Sequence, residues 1–303
     1  MQQENPPSHS FELPSFHSIL IPTIKSSLST LFTPQAVDIL NQYTKLSISP
    51  VDLFKQFNLS TGNNDDDKDG RIVYIHNIIE IIKILDVKIG GRNHKLLREI
   101  HKEEYEGGFL LWECERDCVQ FLAQNPMDMS GLNVLEIGCG SGLLGIKMIQ
   151  LGAASVTFQD FNVEVLQFWT LPNIILNFGP QVAADKCCFV KGDWGKFELE
   201  SKSDPINLKY NTAQSKTYDI ICGCDIIYET KNYPTLLELF KKVLTPGKGR
   251  VVISSKAYYY GNGGSVAAFK EFVNNYAVLQ YSLLKNIDTG MGNRREIFML
   301  TFK

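Results

Sequence analysis

A chain of 303 residues, 21% charged and 44% hydrophobic, has the composition of a soluble globular protein and enough length for one large domain or for a core domain with an extension. Its net charge of −3 supplies no basic field for a nucleic-acid backbone, which disfavours direct nucleic-acid binding and favours a peptide or protein substrate. Seven cysteines are too few for a disulfide scaffold and read as thiols of a reducing compartment, the cytoplasm with the nucleus also open.

No apolar run approaches the roughly 18 residues of a membrane span, and MQQENPPSHS lacks the basic and apolar regions of a signal peptide. Residues 1–14 are polar and proline-bearing and are expected to be disordered. Thr33-Pro34 and Ser49-Pro50 place a hydroxyl before a proline, the pattern of a helix start, and predict short helices over 35–43 and 51–57. In the acidic loop 61–70, Asp65, Asp67, Asp69 and Gly70 match the opening half of a calcium loop, but His76 stands where a bidentate Glu belongs. A solvated loop, followed by a strand over 71–75, is the simpler reading, and no metal site is expected. Ile78, Ile79, Ile81, Ile82 and Leu85 require burial in an element whose type periodicity does not decide. A charged helix over 96–104 ends at Glu104–Gly108, and Trp112-Glu113-Cys114 opens another helical pattern through Leu122. This divides the chain into an extension, 15–100, and a main domain, 101–303.

From Asn133 strand and helix patterns alternate. Strands are predicted at 134–137, 155–159, 188–191, 218–223, 250–254, 278–284 and 297–302, and helices at 143–150, 163–177, 233–244 and 265–275. The polar stretch 198–216 reads as a surface insertion. The last two strands have no helix between them, which predicts an antiparallel hairpin at the sheet edge. Such an α/β sheet, seven-stranded and Rossmann-like, is the class I methyltransferase architecture. Cys114 and Cys118 share a helical face, and Cys222 and Cys224 a strand face. Neither spacing is the usual zinc pattern, so the thiols read as buried rather than metal-bound.

Val134–Gly145 reads V-L-E-I-G-C-G-S-G-L-L-G, a buried strand entering a glycine turn and then a helix, whose free N–H groups point back at a ligand. A glycine turn after a strand also serves dinucleotides. Glu136 before the first glycine, able to attract a ligand ammonium, and the tight spacing of Gly138, Gly140 and Gly142 favour S-adenosyl-L-methionine. Asp160 in Gln159-Asp160-Phe161-Asn162 lies about 20 residues beyond the glycines, where an acid suits a ribose diol of either cofactor. Asp193-Trp194 ends the third strand and suits adenine, the acid accepting from its amine and the indole stacking on it; a buried Trp capping the sheet is the plainer alternative. Asp225 and Tyr228 end the fourth strand, where groups face the ligand crevice; a helix cap and a surface Tyr are the plainer alternative.

With Asp225-x-x-Tyr228 the chain resembles the protein methyltransferases that modify lysine or histidine. Within that branch it is similar to the protein-histidine N-methyltransferases that modify a large-subunit ribosomal protein. Tyr105-Glu106-Gly107-Gly108, Trp112-Glu113-Cys114, Gly138–Ile146, Phe158–Asn162, Thr170–Asn173 with Asn177, Gly192-Asp193-Trp194 and Ser255–Gly264 carry the resemblance, over 105–303. It implies S-adenosyl-L-methionine contacts at Trp112, Glu113, Glu136, Gly138, Gly140, Gln159, Asp160, Asn162, Asp193, Trp194 and Cys224, with Trp112 and Glu113 as a lid. It also implies methylation at the tele nitrogen; a monomer is expected. Asp225 is the candidate acceptor for the imidazole N–H, Tyr228 positions the ring, and Glu113 is the second choice. A lysine acceptor and a non-catalytic ribosome-assembly scaffold are the alternatives. All five histidines (His9, His17, His76, His94, His101) lie before the first strand of the main domain, and none is a catalytic candidate.

Overall fold

The computed structural model describes residues 107–197, 217–276, 278–288, 290 and 293–303, with Ile72 and a short antiparallel ribbon, Lys88–Ile89 against Arg92–Asn93. The coil at 1–14, the helices at 35–43, 51–57 and 96–104, the acidic loop 61–70, the apolar element 78–85, the insertion 198–216 and the boundary at residue 100 lie outside the described residues. So does the 71–75 strand apart from Ile72, which is buried in the core.

Most strands are rich in Val, Ile, Leu, Phe and Cys and buried on both faces, as strands between two helical layers must be, whereas the edge strand Leu279–Ile287 is largely exposed or half-buried. The strands are β1 (Asn133–Ile137), β2 (Ser155–Asp160), β3 (Cys187–Lys191), β4 (Ile220–Cys224), β5 (Arg250–Lys256), β6 (Leu279–Ile287) and β7 (Arg295–Phe302). They form one seven-stranded sheet in the order β3-β2-β1-β4-β5-β7-β6. The first five run parallel, and β7 runs antiparallel between β5 and β6. The expected terminal hairpin is therefore present, with its second strand inserted next to β5.

Side chains alternate across each strand. Val134 of β1 faces the core under α1 (Glu113–Gln124), α2 (Leu143–Gln150) and α3 (Leu171–Lys186), while Leu135 and Ile137 face α4 (Tyr233–Val243) and α5 (Val266–Tyr276). Each such fully buried aliphatic side chain contributes about 1.5–3 kcal/mol. The helix expected over 163–177 is longer. It starts at Val163–Val165, passes through a π turn at Leu166–Thr170 and reaches Lys186, with a break at Gly179 (φ 78°, ψ 171°). Gly179 supplies the left-handed φ, and Pro180, which lacks an N–H, opens the final segment. The fourth strand starts at Ile220, because Tyr218 makes only an isolated bridge to Leu244. The hairpin strands run longer than their apolar cores, since antiparallel pairing continues through the polar residues Lys285 and Asn286.

Strand order reverses between β1 and β4, so a crevice opens at their carboxyl ends, the usual ligand position in open α/β sheets. Gly138, Asp160, Gly192 and Asp225 all stand on this edge.

Candidate active site

Gly138, Gly140 and Gly142 have φ of 58°, 49° and 75°, a region only glycine enters without cost. A Cβ at Gly142 would lie 2.8 Å from Thr170 Cγ2. The backbone donors of this loop are largely taken up by the chain itself. Gly138 N–H donates to Gln159 Oε1 (3.0 Å), Gly140 N–H to Asp160 Oδ2 (3.0 Å), Leu143 N–H to Glu115 Oε1 (3.0 Å) and Gly145 N–H to Glu136 Oε2 (2.8 Å). Two carboxyls thus occupy the positive end of α2, an arrangement the helix dipole favours. This corrects the expectation of free N–H groups at that helix end.

It also corrects the place of Glu136. Strand alternation turns Glu136 to the α1–α3 side, where it is 2% exposed and bonded to Gly145 rather than set out in the crevice. Beside it lies Glu115 of α1, which sequence reasoning missed. Ser141 Oγ–H donates to Glu115, and burial pushes its carboxyl up to about 7. Burial, with the nearby charge of Glu115, also raises Glu136 well above the usual range.

Gln159 is a brace. Its Oε1 accepts from Gly138 N–H and from Trp194 Nε1–H (2.9 Å), and its Nε2–H donates to Gly192 O (2.6 Å). The half-buried Trp194 indole consequently stands over the first glycine, with Cζ2 3.8 Å from where a Gly138 Cβ would be. Asp160 is buried and accepts from Gly140 and Asn162 N–H; burial pushes its carboxyl up to about 6. Asn162, also buried, starts the helix into α3. Asp193 is exposed and caps a short turn by accepting from Gly195 N–H (2.6 Å). The turn 107–110 rests on this floor: a Cβ at Gly108 would meet Asp160 Oδ1 at 3.1 Å, and one at Gly140 would meet Gly108 O at 3.2 Å. Trp112 follows and is 40% exposed.

Asp225 leaves β4 in the left-handed region, φ 54°, the one positive-φ residue other than glycine among those described. Its side chain is buried. Oδ1 accepts from Cys114 Sγ–H (3.3 Å) and Tyr259 Oη–H and lies 3.9 Å from Lys256 Nζ. Oδ2 is buried and has no hydrogen-bond partner. Burial raises this carboxyl, and Lys256, Tyr259 and Cys114 oppose the rise. Tyr228 is half-buried and stands edge-on to Tyr259, with ring centroids 6.5 Å apart. Gly264 locks this loop: its N–H donates to Tyr228 O (3.0 Å), and a Cβ there would lie 2.2 Å from Ile227 O.

Of the three catalytic candidates, the structure brings Asp225 and Tyr228 together but places Glu113 elsewhere. Glu113 is half-exposed and pairs with Arg295 (3.3 Å), which also binds Asp117. Lys256 and Tyr259 are functional candidates that individual-residue reasoning passed over. Their signal was their position in Ser255–Gly264. Cys224, the last residue of β4, bonds to Cys118, and that bond together with burial keeps its thiol protonated. Cys114 and Cys222 are protonated for the same reason of burial. Among the described residues no cluster of three or more His, Cys, Asp or Glu forms a metal site.

A family model described as lysine methyltransferase matches residues 92–264. The "Histidine protein methyltransferase 1 homolog" of Dictyostelium discoideum is 35% identical over 199 residues, covering 66% of this chain and 59% of that protein. The rat protein of the same name is 35% identical over 219 residues, covering 66% of this chain and 58% of its own. The chain therefore spans less than two thirds of either relative. Among solved structures, the magnesium protoporphyrin IX methyltransferase of Synechocystis with bound SAM aligns at 15% identity and a TM-score of 0.39, covering 63% of this chain and 78% of that one.

Proposed function

We propose, from the premise that this chain belongs to the lysine methyltransferase family matched over residues 92–264, that it methylates a histidine of a protein substrate at the tele imidazole nitrogen. The substrate in this reading is a large-subunit ribosomal protein, and the names of the relatives at 35% identity support histidine over lysine. The observation that carries the reading is the unpartnered, buried Oδ2 of Asp225 at the carboxyl end of β4. A buried carboxylate oxygen without a donor is costly, and the N–H of an incoming imidazole would satisfy it.

S-adenosyl-L-methionine is the cofactor, and it supplies a methyl group on a cationic sulfur, open to in-line attack by a neutral nitrogen. The residues present fit it. Gly138 and Gly140 keep the floor free of Cβ atoms, Gly142 makes room for Thr170 and Phe158 beneath it, and Trp194 walls the space above Gly138. Asp160 would meet the ribose, and Asp193 and Cys224 would complete the rim. Asn162 and Gln159 would hold the backbone around them, and Trp112 would close over the cofactor. Glu136 acts from behind, through Gly145.

An unperturbed imidazole titrates at about 6.5, so at cellular pH it is mostly neutral and needs its tautomer fixed more than its proton removed. Asp225 Oδ2 would accept the N–H of the ring nitrogen that does not attack the methyl group, which turns the other nitrogen's lone pair outward. As the ring becomes cationic the same carboxylate offsets its charge and receives the proton released. Tyr228 and Tyr259 would bound the ring on one side.

Incubation with tritiated cofactor and a methylation-naive cell extract, followed by acid hydrolysis, should give labelled methylhistidine. Methyllysine would instead establish the second reading, which the description of the matched family favours. Asp225→Asn should lower kcat by about a hundredfold or more while leaving cofactor affinity unchanged by calorimetry. Full turnover in that variant would remove Asp225 from the mechanism.

A further inference from the structure

We infer that Lys256 selects the acceptor: its ammonium fills the aromatic and acidic cage that a substrate lysine would need, so the site takes a neutral nitrogen base and turns an ammonium away. This deepens the reading above and rests on it for the place of the acceptor.

An alkylammonium group is recognised by a carboxylate beside aromatic faces. Trp112, Tyr259 and Asp225 form that arrangement here, and the chain's own lysine occupies it. Lys256 Nζ lies 4.5 Å from the Trp112 ring centroid, 5.8 Å from that of Tyr259 and 3.9 Å from Asp225 Oδ1. Its side chain is 17% exposed. The backbone that carries this side chain is fixed from two sides, because Lys256 is the last residue of β5, in register with Arg295 of β7, and its N–H donates to Tyr259 Oη (3.2 Å).

The other charged groups around Asp225 do not replace this cation. Cys114 of α1 approaches as a neutral thiol. Glu115 of α1 is turned to Ser141 and Leu143, and Arg295 is paired with Glu113 and Asp117. A lysine substrate reaching Oδ2 would bring a second positive charge next to Lys256 and would find its counter-charge already engaged. Like charges so close in a partly buried site repel strongly. An imidazole brings no charge and asks only for an N–H acceptor, which Oδ2 offers.

The test uses the full chain loaded with S-adenosyl-L-homocysteine, with imidazole and n-butylammonium as probes in ligand-observed NMR titrations. The wild-type protein should bind imidazole at least tenfold more tightly than n-butylammonium. Lys256→Met should raise n-butylammonium affinity relative to imidazole affinity at least tenfold. Lys256→Gln serves equally if the Met variant gives no cooperative melt, and Lys256→Arg should keep the exclusion. Equal n-butylammonium affinity in wild-type and charge-removed proteins overturns the inference, as does wild-type binding of the two probes with equal strength. In parallel, tritium from the cofactor should move from methylhistidine towards methyllysine when the labelled protein's target histidine is changed to lysine and presented to Lys256→Met. Wild-type label in methyllysine would overturn the histidine reading and this inference together. Wild-type label in methylhistidine without a gain by the variants would overturn this inference alone.

Discussion

Asp225 is held by one oxygen and open at the other, and the donors on the closed side decide what the open side can do. Tyr259 Oη bonds Asp225, Ser255 Oγ (2.8 Å) and the Lys256 N–H (3.2 Å), so it fixes the carboxylate and β5 at once. Its hydrogen bond favours the ionised acid and lowers the titration point that burial raises. Tyr259→Phe keeps the ring against Tyr228 and removes that donor. The titration point of Asp225 must then rise, and a kcat that depends on ionised Asp225 must have its acid limb moved to higher pH. At neutral pH, kcat should fall on the order of tenfold, with cofactor affinity retained. A kcat–pH profile that superimposes on the wild type would assign Tyr259 a packing role alone. Asp225 and Tyr228 were legible in the sequence because strand ends at a switch point face the crevice. Tyr259 and Lys256 were not, since their relation to Asp225 exists only once β5 lies beside β4.

At the scale of elements, the start of α2 shows where pattern reading misleads. A carboxyl before a glycine loop reads as a ligand contact, but the period-2 alternation of β1 carries Glu136 beneath the loop. Glu115, 21 residues earlier on α1, completes the same cap and had no local signal. These buried acids give the protein a defined pH response. Glu115 is pushed up to about 7 and Asp160 to about 6, against ordinary values of 4.5 and 3.8, and Glu136 is raised as well. A raised carboxyl binds more protons folded than unfolded, so its stabilisation is full below the unfolded value and is lost as pH climbs through the folded one. The cofactor-free protein should therefore lose stability between about pH 4 and 7, as the pH climbs from the ordinary carboxyl range through the raised titration points of Asp160 and Glu115. Scanning calorimetry over that range should show Tm falling as pH rises, and Glu115→Gln should flatten the slope. An unchanged slope would mean that Glu115 is already ionised within the fold.

At the scale of the molecule, the parallel block and the closing hairpin followed from alternating patterns and from the missing last helix, because a parallel sheet admits few connections, while the strand order is set by pairings far apart in the chain. Exact strand limits did not follow, since hairpin pairing extends through polar residues that carry no apolar signal. The same architecture places the glycine floor, the Trp194 wall and the turn 107–110 on three separate parts of the chain that meet only over β1 and β2. A ligand seated among them would cross-link those parts and stabilise the whole fold by mass action, about 2.7 kcal/mol at a hundred times its dissociation constant. S-adenosyl-L-homocysteine should accordingly raise Tm by several degrees. Gly138→Arg puts a long side chain between Ile226 and Trp194 at a φ of 58°, costing roughly 1–2 kcal/mol for the left-handed backbone and filling the floor. Its Tm should be lower without ligand and should no longer respond to it. A variant that melts lower yet still gains the full shift would place the cofactor away from Gly138, while one that keeps its wild-type Tm but loses the shift would mean that the floor carries ligand contact and no structural strain.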